Sequence, residues 1–334
     1  MKRPRGAPSP QGARATRFAR TRGDRLGLGR ALLFVCVLSA TASADVTEKS
    51  RVEVQPPGKP YKQVSIDNSL GNVRIEGHDG KNVIIETIKR AGTDEAIERL
   101  RISLVPDPDG TVRITTHADP SPESKPVARS AVSIDVVIRA PRGARFDATV
   151  GSGKLEAKNM DAGGELDSAS GAITVDNVQG ELYTHSVSGS ITINKAFGDV
   201  DAATVSSDVA LDSISGQKLV ASANDGKIAG RRVRSRDIEL TTMTGKITLE
   251  AEALPRGRIV VSSMRGDVEV KLRRQAQTAM VVRGRGTKVD LGSTPVTVLG
   301  KWQEAKLGSG GEATVVELRS NHGFVQFLQL AVIQ

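Results

Sequence analysis

Between Gly153 and Val270 the apolar positions return in one short phrase. Ser168-Ala-Ser-Gly171-Ala-Ile173-Thr-Val175 is followed by Ser186-Val-Ser-Gly189-Ser-Ile191-Thr-Ile193 and by Thr204-Val-Ser-Ser207-Asp-Val209-Ala-Leu211. Asn224-Asp-Gly226-Lys-Ile228, Thr242-Met-Thr-Gly245-Lys-Ile247-Thr-Leu249 and Ser263-Met-Arg-Gly266-Asp-Val268-Glu-Val270 continue it, and Gly151-Ser-Gly153-Lys-Leu155 opens it. The first aliphatic of each copy stands at 155, 173, 191, 209, 228, 247 and 268, so the steps are 18, 18, 18, 19, 19 and 21. A period this regular marks a stacked repeat.

Within a copy, Ile-x-Val alternates and places both aliphatics on one strand face. The glycine two residues earlier suits a turn or bulge that needs a positive φ. The small Ser, Thr or Asn before it can bond to the turn backbone. A second apolar point precedes each turn, at Leu166, Leu182, Val200, Leu219, Ile238 with Leu240, and Ile259 with Val261. Each copy thus reads as strand, turn, strand and short connection. One coil alone cannot bury its apolar stripe, and stacking joins the stripes into a core. The expected fold is all-β: a β-solenoid, or single-stranded β-helix, of about 18–21-residue coils. The competing fold is a meander of antiparallel hairpins, because Ser-Gly and Asp-Gly also make hairpin turns.

The flanks read as variants of the same plan. Residues 45–145 form a β-rich lead-in with strands at Gln63–Ile66, Val73–Ile75, Val83–Ile88, Val112–Ile114 and Val132–Ile138. A short helix is predicted over 93–101, capped by Thr93, with Asp94 and Glu95 in its first turn and Ile97 and Leu100 facing the core. Pro120 to Pro126 reads as a solvent loop. Residues 146–292 hold the repeats, with Val289-Asp-Leu291 as one more coil, and 293–334 hold the closing coils, including Ser320-Asn-His-Gly323-Phe-Val325-Gln-Phe327. Phe324, Phe327 and Trp302 are expected to cover the C-terminal end of the core.

Charge changes the picture at one end only. The chain carries +9 overall, but residues 1–44 hold nine basic residues against Asp24, which leaves +1 for the other 290. The basic balance therefore gives no reason to expect a nucleic-acid partner. Residues 1–44 read instead as a signal peptide: a basic stretch to Arg30, an apolar run from Ala31 to Leu38, and Ala42-Ser-Ala44 as a cleavage site before Asp45. The apolar run is too short to serve comfortably as an anchor, so no membrane span is expected in the mature chain. Cys36 is the only cysteine, and Val35 before it does not fit a lipidation signal. The mature chain then has no thiol, and its destination is the periplasm, cell surface or exterior.

Candidate chemistry is sparse. His78, His117, His185 and His322 show no metal-ligand spacing. His185 beside Ser186 points to the opposite strand face, which defeats a nucleophile–base pair. Gly284-Arg-Gly286-Thr-Lys288 lacks phosphate-loop spacing and reads as a basic turn. A polysaccharide lyase on a β-helix clusters acids on adjacent coils to hold calcium. The acids available for that role, Asp176, Asp199, Asp201, Asp212 and Asp237, do not recur at one register. Thr241, Thr242 and Thr244 occupy one coil only, which does not make an ice-binding array. No catalytic, cofactor-binding or metal residue is assigned, and no cofactor is expected.

Leu70-Gly71-Asn-Val73-Arg-Ile75-Glu-Gly77-His-Asp79-Gly80, the Ile138-Arg-Ala-Pro141 step, the Ser-x-Ser-Gly-x-Ile ladder and the Gly308-to-Val325 closing segment together resemble the bacterial DUF4097-type "putative adhesin" proteins over most of residues 60–330. Ser207, where glycine is usual, and Arg283 to Gly286 depart from the pattern. The resemblance implies an exported, non-catalytic β-helical protein. The expectation is an adhesin-like binding or scaffolding protein of the envelope, with an envelope protein or a glycan as partner. A carbohydrate-active β-helix enzyme and a sensor or assembly partner of an envelope complex are the alternatives.

Overall fold

The structure is a computed structural model that describes residues 32–35, 46–119, 132–292, 295–309 and 312–332. Ile173 pairs in parallel with Ile191, Ile191 with Val209, Val209 with Ile228, Ile228 with Ile247 and Ile247 with Val268. Each strand therefore bonds to its counterpart one repeat later. The fold is a β-solenoid and not a hairpin meander.

Every coil contributes two strands. Ile191–Phe197 typifies an Ile ladder, and Leu182–Ser186 typifies a Ser ladder. The Ser-x-Ser-Gly turn leads from the Ser ladder into the Ile ladder, and a short connection leads on to the next coil. In Val209–Ala223 and Ile228–Thr242 both strands and their connection form one continuous element. The core lies between the ladders: Ile173, Ile191 and Ile247 are fully buried from one side, and Leu166, Leu219 and Leu240 from the other. Burying such a side chain is worth about 1.5–3 kcal/mol. No coil has enough of them to offset its own ordering entropy without its neighbours.

Order in space departs from order in sequence at both ends. Gln63–Asn68 and Val73–His78 form a complete coil, stacked in register on Arg145–Val150 and Leu155–Met160. The ladder thus runs on through the expected lead-in. The chain next leaves through Val83–Ala91, the helix and Leu100–Pro106. It returns as Thr111–Ala118 and Val132–Pro141 on the outer side of that first coil. At the other end Thr314–Ser320 and Phe324–Gln329 sit directly on Arg258–Ser263 and Val268–Arg274. Met280–Arg285 and Lys288–Asp290 lie outside them. Val325, not Val289, therefore follows Val268 in the stack, contrary to the spacing. A slot between two coils needs a full apolar face, which Val325 and Phe327 supply by complete burial. The three-residue strand Lys288–Asp290 suits the outermost place, where one neighbour suffices.

Antiparallel strands finish the two ends. Val46–Val54 pairs with Val83–Ala91, and Trp302–Leu307 pairs with Met280–Arg285. Trp302 lies beneath the Arg319 guanidinium at 5.2 Å, and the Lys288 ammonium stands 5.6 Å from the Phe324 ring. The helix is Asp94–Glu98, shorter than the predicted 93–101. Thr93 Oγ1 caps it by accepting from the Ala96 N–H at 3.2 Å. Leu100 is already paired as a strand residue with Ala118, and that ladder overrides the helical phase. Leu32–Val35, inside the expected signal, is a strand against Val46–Val54. The rest of 1–44, Pro120 to Pro126 and the Gly310-Gly311 pair lie outside the described residues.

Candidate binding surfaces

The repeated hydroxyl is a structural strap. Ser168, Ser186, Ser263 and Ser320 accept the N–H of Gly171, Gly189, Gly266 and Gly323 at 2.7–2.8 Å. Ser263 Oγ also donates to the carbonyl of Gly245 at 3.1 Å, and Ser320 Oγ to that of Gly266 at 2.9 Å. One buried hydroxyl thus closes its own turn and ties it to the coil before. The glycines serve close approach. A Cβ on Gly171, Gly189, Gly245 or Gly266 would lie well inside 3.0 Å of the preceding glycine's carbonyl oxygen. Of the turn glycines at this register only Gly71 and Gly153 have a positive φ, so the conformational reading of the repeat is corrected. Left-handed backbone falls instead at Asn159, Asn177, Lys195, Ser213 and Arg232, at the bend out of the Ile ladder. Asn tolerates that conformation best, and Asn177 Nδ2 donates to Asn159 Oδ1 at 2.8 Å. This second column carries no glycine, and only its two asparagines, Asn159 and Asn177, mark it in the sequence.

The candidate chemical groups do not converge. His78 Nδ1 accepts the Gly80 N–H at 2.9 Å, so Nε2 carries the proton given to the Asn82 carbonyl at 2.9 Å. His117 faces Asp119 at 3.2 Å, and His185 faces Asp167 at 3.7 Å while Ser186 is buried on the other side. His322 is exposed on the last turn. Asp199 Oδ1 accepts the N–H groups of Gln217 and Lys218 at 3.0 and 2.9 Å, a structural cap. Asp212 pairs with Arg232. Asp176 and Asp212 share one register position, two coils apart with Asn194 between them. Asp201 and Asp237 lie on the Ser ladder. Burial raises the Asp201 carboxyl above the ordinary range, with Lys218 opposing. No group of three or more metal-ligating side chains occurs among the described residues. Thr242 is buried between exposed Thr241 and Met243, and Gly284 is a buried strand residue. Glu304, which the sequence did not single out, is buried and held by Arg283 at 2.8 Å. That hydrogen bond keeps its carboxyl below the usual range and pins the closing strands together.

Two surfaces stand out along the repeat coils. Along the Ser ladder, Val187, Val205, Met243 and Met264 occupy one register on four coils and are 42–47% exposed. Asn224 interrupts the row. Beside it Ala203, Ser222, Thr241 and Ser262 form a lane of small side chains, and with Val205, Met243 and Met264 they line a groove of about 470 Å³. The second surface is a basic hollow of about 420 Å³ between the short connections, lined by Arg234, Arg236 and Arg256. Among the described residues no helix is long and apolar enough to cross a membrane.

A family model described as Toastrack DUF4097 matches residues 61–290. Among solved structures, a "putative adhesin" from Bacteroides fragilis is 14% identical and covers 86% of this chain and 98% of its own, with a TM-score of 0.36. A "putative adhesin" from Parabacteroides merdae is 12% identical over 84% of this chain and 96% of its own, at a TM-score of 0.40. A "putative lipid binding protein" from Parabacteroides distasonis is 10% identical over the same shares, at 0.43. No curated protein matches the chain.

Proposed function

We propose, from the premise that this chain belongs to the Toastrack DUF4097 family, that it is a non-enzymatic binding protein of the bacterial envelope. Its partner is a protein that docks along the Ser ladder. The observation that carries this reading is the aligned row of Val187, Val205, Met243 and Met264. Single exposed aliphatics are ordinary, but a row repeated at one register over several coils is a contact surface. Methionine adapts its shape to irregular apolar partners. The buried hydroxyls hold turns, Asp199 caps a connection and Asp212 pairs with Arg232, which favours binding over chemistry.

The test is pull-down from the envelope fraction with wild-type protein and a Val205→Asp, Met243→Asp double variant. Both sites are exposed, so the urea midpoint should correspond to wild-type stability within about 0.5 kcal/mol per site. The expected result is a specific co-purifying protein whose affinity falls at least tenfold in the variant. That fall corresponds to about 1.4 kcal/mol, modest for two apolar contacts replaced by charge. Equal recovery with the double variant overturns the reading.

Export belongs to the same proposal. Cleavage after Ala44 gives a mature chain that begins at Asp45 and contains no cysteine. Intact mass of the envelope form should match residues 45–334. Soluble envelope protein that still carries Cys36 would refute the cleavage.

A further inference from the structure

We propose that the hollow lined by Arg234, Arg236 and Arg256 is an anion site that holds a phosphate group. It lies apart from the apolar row and does not depend on it. The chain from residue 45 onward is nearly neutral, yet Arg231, Arg232, Arg234 and Arg236 fall within six residues without an acid among them. Arg256 follows on the connection of the neighbouring coil, and Arg258 opens its strand. Carboxylates answer only part of this charge. Asp212 pairs with Arg232, Glu252 with Arg234 at 3.3 Å, and Glu312 with Arg256. Arg231, Arg236 and Arg258 make no ion pair among the described residues.

The geometry makes a receptor of this surplus. Gln275 Nε2 donates to Glu252 at 3.1 Å, which steadies the carboxylate that holds Arg234. Glu312 holds Arg256 directly. A guanidinium has five N–H donors and one carboxylate takes at most two, so both arginines keep donors for a ligand. Arg236 lines the hollow without an ion-pair partner among the described residues. Leu254 and Pro255 give an apolar wall, Gln217 gives an amide, and Gly216 adds no side chain. The volume of about 420 Å³ falls within the range of about 300–1,000 Å³ usual for small-ligand sites. Three arginines against Glu312 in the lining and Glu252 behind Arg234 leave a balance of +1. A phosphate monoester carries about −1.5 to −2 at neutral pH and offers three terminal oxygens to forked donors. Like charges held around one hollow repel, and a bound dianion relieves that repulsion.

Calorimetry on the mature chain tests the assignment, with inorganic phosphate as one probe. Vesicles of phosphatidylcholine with and without phosphatidic acid are the second. Arg236→Gln removes the unanswered charge from the hollow, and Arg258→Gln removes an equally unpaired charge outside its lining. Wild type should bind at least one probe, more weakly as salt rises. Arg236→Gln should weaken that binding at least tenfold, and Arg258→Gln should change it less than twofold. Loss of vesicle binding alone places the phosphate on a lipid headgroup, and loss of inorganic phosphate binding places it on a soluble carrier. Absence of binding by wild type to either probe, or equal effects of the two variants, overturns the site. Arg236 is exposed and unpaired, so matching urea midpoints will exclude misfolding as the cause.

Discussion

Ile191→Asp is expected to cost several kcal/mol and to open the middle of the solenoid, whereas Thr192→Asp costs about 0.5 kcal/mol or less. Ile191 is fully buried, with Ile173 on the preceding coil and Val209 on the next. A carboxylate there has no partner, and the loss compares with a whole domain's stability of about 5–15 kcal/mol. Thr192 alternates to the outer face, between Thr174 and Ala210, where water reaches it. Stacked repeats fail through their nearest-neighbour interfaces, so Ile191→Asp should also lower the unfolding cooperativity of flanking coils. Urea melts followed by circular dichroism separate the two variants. Equal costs would show that the inward face has been assigned to the wrong residues.

Gly171→Ala carries the second large effect, a loss of about 3 kcal/mol or more, at the upper end for forcing a group into a packed site. A Cβ on Gly171 would run into the carbonyl oxygen of Gly153, which is backbone and cannot rotate away. Relief requires the two coils to part, and parting lengthens ladder hydrogen bonds on both sides of the turn. Gly143→Ala is the control. A Cβ there meets nothing within 4 Å, and the residue has no positive φ. Its effect should be neutral, or stabilising by about 0.4–1 kcal/mol through the unfolded chain. The comparison is made on the same melts. A Gly171→Ala protein as stable as Gly143→Ala would remove close approach as the reason for the glycine column.

The binding surfaces were less legible than the fold, for a physical reason. Val187, Val205, Met243 and Met264 follow the buried hydroxyl position in their copies, where the sequence alone marks only turn residues. The repeat aligns them at one phase, but their exposure is decided by the turn, where strand alternation stops and the backbone path sets which way a side chain faces. The arginine hollow is further from view. Arg234 and Arg256 are 22 positions apart on successive coils, and Glu312 joins them only because the coil that follows it is inserted against Arg258–Ser263.

The sequence by itself determined a repeat of near-constant period, its register from Leu155 to Val268 and its inward face, because aliphatics that return at one phase are buried by stacking copy on copy. The choice of a parallel solenoid over a meander of hairpins lies in the strand pairing, which is parallel throughout that span. The tertiary structure decided what periodicity does not encode. It set the order of the coils at both ends, because a buried slot selects the strand with the fuller apolar face, Val325 and Phe327 over Val289. It ended the helix at Glu98, because Leu100 had a strand partner. It also gave the glycines their role, since the limit at Gly171 is set by a carbonyl eighteen residues away in sequence and one strand spacing away in space.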